Sequence, residues 1–199
     1  YKINQSYFNT NINYFINSKH TLDFGFNTLY YRLNPGDYLP VGNQSLVVPQ
    51  RMQQEQALES AIYISDKFNI TRDLSLDAGI RYSMFNYLGP YEVNNYQPGV
   101  SKIEENITGT TLYGKNKIIN TYHGPEVRIG LRQMLNNTTS IKAGYNSLRQ
   151  YIHMLSNTAA IAPTDIWKLS DPNIQPQFGD QVSLGVYKNL KSNTIELSV

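Results

Sequence analysis

No cysteine occurs among the 199 residues. That excludes disulfide frameworks, thiolate nucleophiles and cysteine-based metal centres, and it fits an oxidising compartment. No run of eighteen apolar residues exists either, so no transmembrane helix is written into the chain. A membrane barrel survives that test, because its strands alternate and never form such a run. Charge is sparse: Lys and Arg number 17 and Asp and Glu 15, a net +2, with a charged fraction of 16%. The cations are scattered, which speaks against a nucleic-acid partner.

What the chain has in quantity is Tyr (16) and Asn (22), with a hydrophobic fraction of 40%. Disorder would want fewer aromatics and more charge, so the chain folds, and this pair of residues favours strands punctuated by turns. The length has room for one large domain or two small ones. The chain opens at Tyr1 without a methionine and closes on an alternating run from Ile195 to Val199 that stops before a turn. It therefore reads as a piece of something longer.

Period-two alternation dominates. Leu74, Leu76, Ala78, Ile80, Tyr82 and Met84 share one parity, and Ser75, Asp77, Gly79, Arg81 and Ser83 share the other. A strand separates these classes cleanly, whereas a helix would mix them. The pattern recurs around Leu22–Thr28, Leu58–Ile64, Val127–Leu131, Ile141–Tyr145, Val182–Val186 and Ile195–Val199, and in the first segment through Phe8, Ile12, Tyr14 and Ile16. The expectation is all-β: an antiparallel meander of about eight long strands, each about ten to fourteen residues, against roughly 9 to 11 needed to cross a bilayer at a tilt.

Short turns at 17–20, 71–73, 136–139 and 191–193 alternate with long connections over 33–56, 89–121 and 156–179. One rim trimmed and the other elaborated is the habit of outer-membrane barrels. A soluble sandwich also alternates, apolar face inward, and periodicity permits both. The loops favour the barrel, since a compact sandwich has little place for connections beyond about 12 to 15 residues. In the barrel Leu74, Leu76, Ala78, Ile80, Val127, Ile129, Val182 and Leu184 form one apolar surface. Arginine at Ile80 or Ile129 should then impair insertion, while leucine at Arg81 or Arg128 should be milder.

Tyr7, Tyr14, Phe15, Tyr30, Tyr31, Phe85, Tyr87, Tyr145 and Tyr151 fall toward strand ends, where amphipathic rings favour a lipid interface. Strand propensity and loop packing would put rings there too. Glu59, Lys67, Asp77, Arg81, Glu126, Arg128, Arg132 and Lys142 take the inner parity, mostly as interstrand pairs. Asp77 and Arg81 lie about 13 Å apart along their strand and must each meet a neighbouring strand instead. His20, His123 and His153 have no ligand spacing, and no residue set proposes a nucleophile, base or metal, so no catalysis and no cofactor are expected. Trp167, between Pro163 and Pro172, reads first as a buried ring that fixes its loop and second as a ligand platform. Tyr38, Tyr91, Tyr96, Tyr113, Asp165 and Trp167 are the candidate solute contacts in the long connections.

The segment from Ser140 to Asn157, with its Arg149-Gln150-Tyr151-Ile152-His153, is followed by Pro163-Thr164-Asp165-Ile166-Trp167 and Ile174-Gln175-Pro176-Gln177. This strongly resembles the β-barrel of TonB-dependent outer-membrane receptors of the Bacteroidetes type. Phe178–Asn189, Ala61–Ile70, Leu74–Asn86 and Tyr122–Arg132 are similar to further strands of that family. The resemblance covers essentially the whole chain, most specifically from Tyr122 to Asn189. It implies a transmembrane outer-membrane β-barrel of twenty-two strands with a plugged lumen, of which residues 1–199 are a partial barrel domain. Neither the plug nor the TonB-contacting box is found in these residues. The implied function is energy-coupled uptake, in a Gram-negative outer membrane, of a scarce solute such as a siderophore, vitamin, glycan or peptide. Implied partners are TonB through an N-terminal region, outer-membrane lipid and lipopolysaccharide, the solute, and in one branch a surface lipoprotein. An outer-membrane adhesin or assembly barrel without transport is the alternative.

Overall fold

A computed structural model describes residues 2–42, 44–46, 48–155, 166–190 and 194–198. In chain order these form β1 (Lys2–Phe15), β2 (His20–Asn34), β3 (Asp37–Tyr38), β4 (Gln50–Arg51), β5 (Glu55–Asn69), β6 (Leu74–Leu88) and β7 (Tyr91–Tyr96). A 3-10 turn at Glu104–Asn106 precedes β8 (Ile107–Tyr113), β9 (Ile118–Asn136), β10 (Thr139–Gln150), β11 (Ile152–Leu155), β12 (Ile166–Leu169), β13 (Gln177–Asn189) and β14 (Thr194–Ser198). Eight of these strands make one antiparallel sheet in the order β1-β2-β5-β6-β9-β10-β13-β14. The other six pair as three hairpins, β3–β4, β7–β8 and β11–β12; the first two lie inside the expected long connections, and the third begins at Ile152, because β10 ends at Gln150, earlier than the expected start of that connection at 156. Among the described residues no helix is long and apolar enough to cross a membrane, a fact that leaves crossing by strands open.

The short turns are made by the side chains that make such turns cheap. Asn17 Oδ1 accepts the amides of Lys19 and His20, Thr71 Oγ1 accepts those of Asp73 and Leu74, and Asn136 Oδ1 accepts the Thr138 amide and hydroxyl. The expected turn at 191–193 lies outside the described residues. The three described turns share one end of the sheet, and the three hairpins rise from the other.

Register carries one parity continuously across the strands. Ile12 opposes Phe24, Phe24 opposes Ile64, Ile64 opposes Ile80 and Ile80 opposes Val127. One residue pair along, Ala78, Ile129, Tyr145 and Val182 form a second row. This face stays open: Ile12 is 53% exposed, Ile80 50% and Val182 78%. The eight apolar residues expected to share a surface do share it.

The opposite face changes character along the strand. At the turn end it carries Asp23, Asn27, Asp77, Arg128 and Asn146 around a concave hollow of about 620 Å³. At the hairpin end the same parity becomes a core of Tyr31, Leu33, Ala57, Phe85, Tyr87, Tyr151 and Leu169. Tyr31, Phe85, Tyr87 and Tyr151 were expected at a lipid interface, and the structure corrects this. All four are buried on the inner side: Tyr31, Phe85 and Tyr87 share the parity of the inner polar residues in their strands, and Tyr151, past the end of β10, reaches the same core by stacking on Phe85.

One seam opens in the sheet. β6 follows β9 all the way up to Leu88 opposite Ile118, but β10 leaves β9 after Asn146 opposite Arg128. Pro125 explains the seam. The Val127 amide points toward β10 and is taken by Ser147 Oγ at 2.8 Å. Pro125, two residues on, would present the next amide on that side and has none to give.

Candidate functional site

Two polar clusters occupy the inner face, and they differ in how they are assembled. The lower one is built from sheet residues alone. Arg81 Nη1 donates to Glu126 Oε1 and Oε2 at 2.9 and 3.1 Å, and Nη2 donates to Glu59 Oε1 at 3.1 Å and Asn27 Oδ1 at 3.3 Å. Tyr31 donates its hydroxyl to Glu59 Oε2 at 2.9 Å. Four strands thereby meet at one guanidinium, whose two terminal nitrogens are divided between two carboxylates and an amide oxygen. Arg81 thus finds its partners on the neighbouring strands, as its spacing from Asp77 requires.

The upper cluster ties the long connections to the sheet. Lys168, on β12, donates to Glu55 Oε1 at the start of β5 at 2.6 Å and pairs with Asp171 Oδ2 at 3.1 Å. The Leu169 amide donates to Glu55 Oε2 at 2.8 Å. Burial would depress the Lys168 ammonium, but Glu55, then Tyr91 and Asp171, push it above its ordinary value. Asp171 also accepts the amides of Asn173 and Ile174, and its carbonyl accepts the Tyr122 hydroxyl at 2.8 Å. The segment from β12 to Ile174 is therefore a strap that leaves the β10–β13 side and is fastened on β5, across β9 and β6.

Below the strap, the Tyr151 ring stacks on Phe85 with centroids 4.7 Å apart, and its hydroxyl meets Ser83 Oγ at 2.8 Å. His153, opposite Lys168 in the hairpin register, is buried and shares a hydrogen bond with Ser170 Oγ through Nε2 at 2.9 Å. Burial pushes the His153 imidazole below its ordinary value. The second connection joins through Gln53, which donates to the Glu92 carbonyl and accepts the Glu92 amide, as a strand neighbour would.

The sequence-predicted contacts are distributed unevenly over this rim. Tyr91 lies edge-on to Tyr87 at 5.3 Å between ring centroids and opposes Tyr113 across β7–β8. Its hydroxyl is 3.5 Å from Lys168 Nζ, so it belongs to the upper cluster rather than to an open loop. Tyr96 opposes Ile107 at the far end of that hairpin, and Tyr38 opposes Gln50 in β3–β4. Trp167 opposes Met154 and is 38% exposed, which corrects its reading as a buried ring. Its neighbour Lys168 points the other way and does the anchoring. Asp165 lies outside the described residues.

Glu55, Lys168 and Asp171 are what sequence reasoning missed, together with the inward placement of Tyr151. A signal existed in β6, where the buried run Phe85-Asn86-Tyr87-Leu88 breaks the alternation kept below it. Among the described residues no group of three or more His, Asp or Glu is arranged to hold a metal. The two clusters fasten strands to one another and the long connections to the sheet.

Comparison with known proteins agrees with this architecture. In overall fold the chain is similar to the ferric-catecholate import receptor Fiu of E. coli K12 in its closed form, with a TM-score of 0.53 and 18% identity. The match covers 98% of this chain and 30% of that receptor, so the chain spans about a third of the relative's length. None of the curated proteins compared with it matches. Residues 1–199 match, from end to end, the family described as TonB dependent receptor-like, beta-barrel. The chain belongs to that family of receptor β-barrels.

Proposed function

We propose that this chain forms part of the wall of an outer-membrane receptor in a Gram-negative bacterium. The receptor takes up a scarce solute at the expense of energy delivered by TonB. The observation that carries the reading is the sheet's sidedness: an exposed apolar face continuous over its strands, backed by an inner face of ion pairs. Contiguous apolar surface of this extent is rare on a protein that lives in water and is what a lipid-facing barrel wall requires. Family membership supports the transport role, and the resemblance of the Arg149–His153 and Pro163–Trp167 stretches supports the Bacteroidetes branch. Lipid and lipopolysaccharide meet the apolar face. The candidate solute contacts on the loop side are Tyr38, Tyr96, Tyr113, Asp165 and Trp167, with Tyr91 holding the rim in shape.

The test is made on the full-length gene product. Expected results are recovery in the outer-membrane fraction, heat-modifiable migration on a gel, and solute accumulation that stops when TonB is deleted. Accumulation that persists without TonB, or a product found in the periplasm, would sink the proposal.

A further inference from the structure

The outward face is interrupted at its turn end by an acid. Asp66 shares the parity of Ile64, opposite Leu22 on β2 and Ala78 on β6. Its Oδ2 meets His20 Nδ1 at 2.7 Å, and the His20 ring stacks on Phe68 with centroids 4.2 Å apart, which fixes the carboxylate in place. Oδ1 is sealed from solvent with no hydrogen-bond partner among the described residues, while about a third of the side chain (32%) stays exposed. A carboxylate has room for about four hydrogen bonds. Asp66 receives one, on a face otherwise made for lipid, where an underserved charge is costly.

Beside it the outward face is hollowed. A shallow trough of about 370 Å³ is walled by Leu22, Ile64, Ile80, Val127 and Ile129, with Asp66 its one charged lining residue. Its floor is low because Ala78 stands between Asp66 and Ile129 in the register, where its neighbours of the same parity, Leu76 and Ile80, are large. The trough therefore joins an apolar channel to an acceptor at the level where β5 ends in its turn.

We infer that this trough binds one phospholipid carrying a primary amine in its head group, as phosphatidylethanolamine does. The ammonium donates to the Asp66 carboxylate from its open side, sharing Oδ2 with His20, and an acyl chain lies over Ala78. Charge complementarity selects the head group: an ammonium brings N–H donors to an acceptor that has too few, whereas an anionic lipid is repelled. The inference rests on the receptor reading only for its claim that this face meets lipid.

The experiment uses the purified full-length receptor in micelles doped with one phospholipid at a time, the bound lipid being counted by native mass spectrometry. The probes are phosphatidylethanolamine, phosphatidylcholine and phosphatidylglycerol with identical acyl chains. The wild type should retain one phosphatidylethanolamine about tenfold more tightly than phosphatidylcholine, which has the charge without the N–H groups. Asp66→Asn should abolish that preference, and Ala78→Leu, which fills the trough, should weaken retention of both lipids. Asp77→Asn, on the opposite face, should change neither, with heat-modifiable migration as the folding control throughout. Equal retention of the amine and choline lipids would show that His20 and water suffice for Asp66, and would overturn the inference. So would phosphatidylglycerol held as tightly, a preference that survives Asp66→Asn, or retention unaltered by Ala78→Leu. None of these readings needs transport: accumulation that persists without TonB would sink the receptor reading and leave them standing, while a receptor that inserts and transports without the amine preference sinks this inference alone.

Discussion

The turn-side and hairpin-side halves of the sheet are made by the same strands under the same alternation, yet they are held together by different physics. In the turn-side half, side chains on both faces remain accessible, and the inner face is organised by one arginine shared between strands. In the hairpin-side half, the inner parity is aromatic and sealed, and a strap from another part of the chain closes over it. Backbone pairing and that one ion-pair network hold the first half. The second needs its core and its buried charges together, so a single change there should reach much further.

The largest expected effect is at the strap. Lys168→Met leaves Glu55 and Asp171, both buried, without their cation, and breaking such a pair typically costs about 3 to 5 kcal/mol. Amide exchange over 166–174 should become fast while the ladder around Ile80 and Ile129 stays protected. Equal protection in mutant and wild type would mean that the strap is held by its backbone contacts instead. Phe85→Ala should cost a similar amount, about 3 to 5 kcal/mol, because the ring is fully buried against Tyr151. Ile80→Ala, five residues away by sequence and half exposed, should cost little in detergent denaturation of the full-length receptor. Comparable losses for Phe85 and Ile80 would erase the distinction between the halves.

The alternation of β6, the turn chemistry of Asn17, Thr71 and Asn136, and the shared outer parity were legible in the sequence, since each is a local rule with a fixed period or offset. Which rings would be buried was not. Periodicity assigns Phe85 and Tyr87 to a face, but burial depends on whether something covers that face, and the cover is Tyr151 and Leu169 from more than sixty residues away. The Glu55–Lys168 pair spans 113 residues and leaves no local trace. Trp167 attracted attention by rarity, while Lys168 beside it carries the buried ion pairs. The family likeness was legible because it lies in whole strands and their connecting stretches, which survive as sequence.

Charge placement sharpens the comparison at the next scale. Ile80→Arg or Ile129→Arg should impair insertion by roughly 2 to 4 kcal/mol if this face meets lipid. The sequence alone expects leucine at Arg81 and at Arg128 to be equally mild. The structure separates them: Arg128→Leu should be mild, whereas Arg81→Leu strips the cation from Glu59 and from Glu126, which is almost wholly buried, and should cost nearly as much as the outward arginines. Folding yield into detergent micelles or vesicles, compared across the four variants, is the measurement. Identical yields for Arg81→Leu and Arg128→Leu would show that the network contributes nothing to the wall. Gly25→Ala tests the backbone-held half directly, because its Cβ would fall on the Thr10 carbonyl and within 2.6 Å of the Tyr63 hydroxyl. A loss of roughly 1 to 3 kcal/mol is expected there. No loss would show that β1 can shift against β2 freely.

The smallest effect is the most selective, and it concerns His153. Its imidazole is buried in the strap's hairpin with Nε2 on Ser170 and Nδ1 unpartnered, so the closed strap favours the neutral ring. Protonation would add a donor with nothing to accept it, across the hairpin from Lys168, which Glu55 and Asp171 hold charged. When the strap opens, His153 regains an ordinary value near about 6.5. The open form then binds more protons than the closed one wherever pH lies below that value and above the depressed one. Strap stability is therefore complete above about 6.5 and declines as pH falls toward the depressed value. Amide exchange at 151–155 and 166–170, corrected for intrinsic rates, should show opening that rises as pH falls below about 6.5. Burial pushes the Glu55 carboxyl above its ordinary value, which acts with the opposite sign in wild type and variant alike. His153→Gln keeps a side-chain hydrogen-bonding group and removes the imidazole titration, so its opening should lack that rise. A wild-type profile no different from that of His153→Gln would mean that the imidazole finds water or a partner when protonated, and the two halves of the sheet would then respond to acid alike.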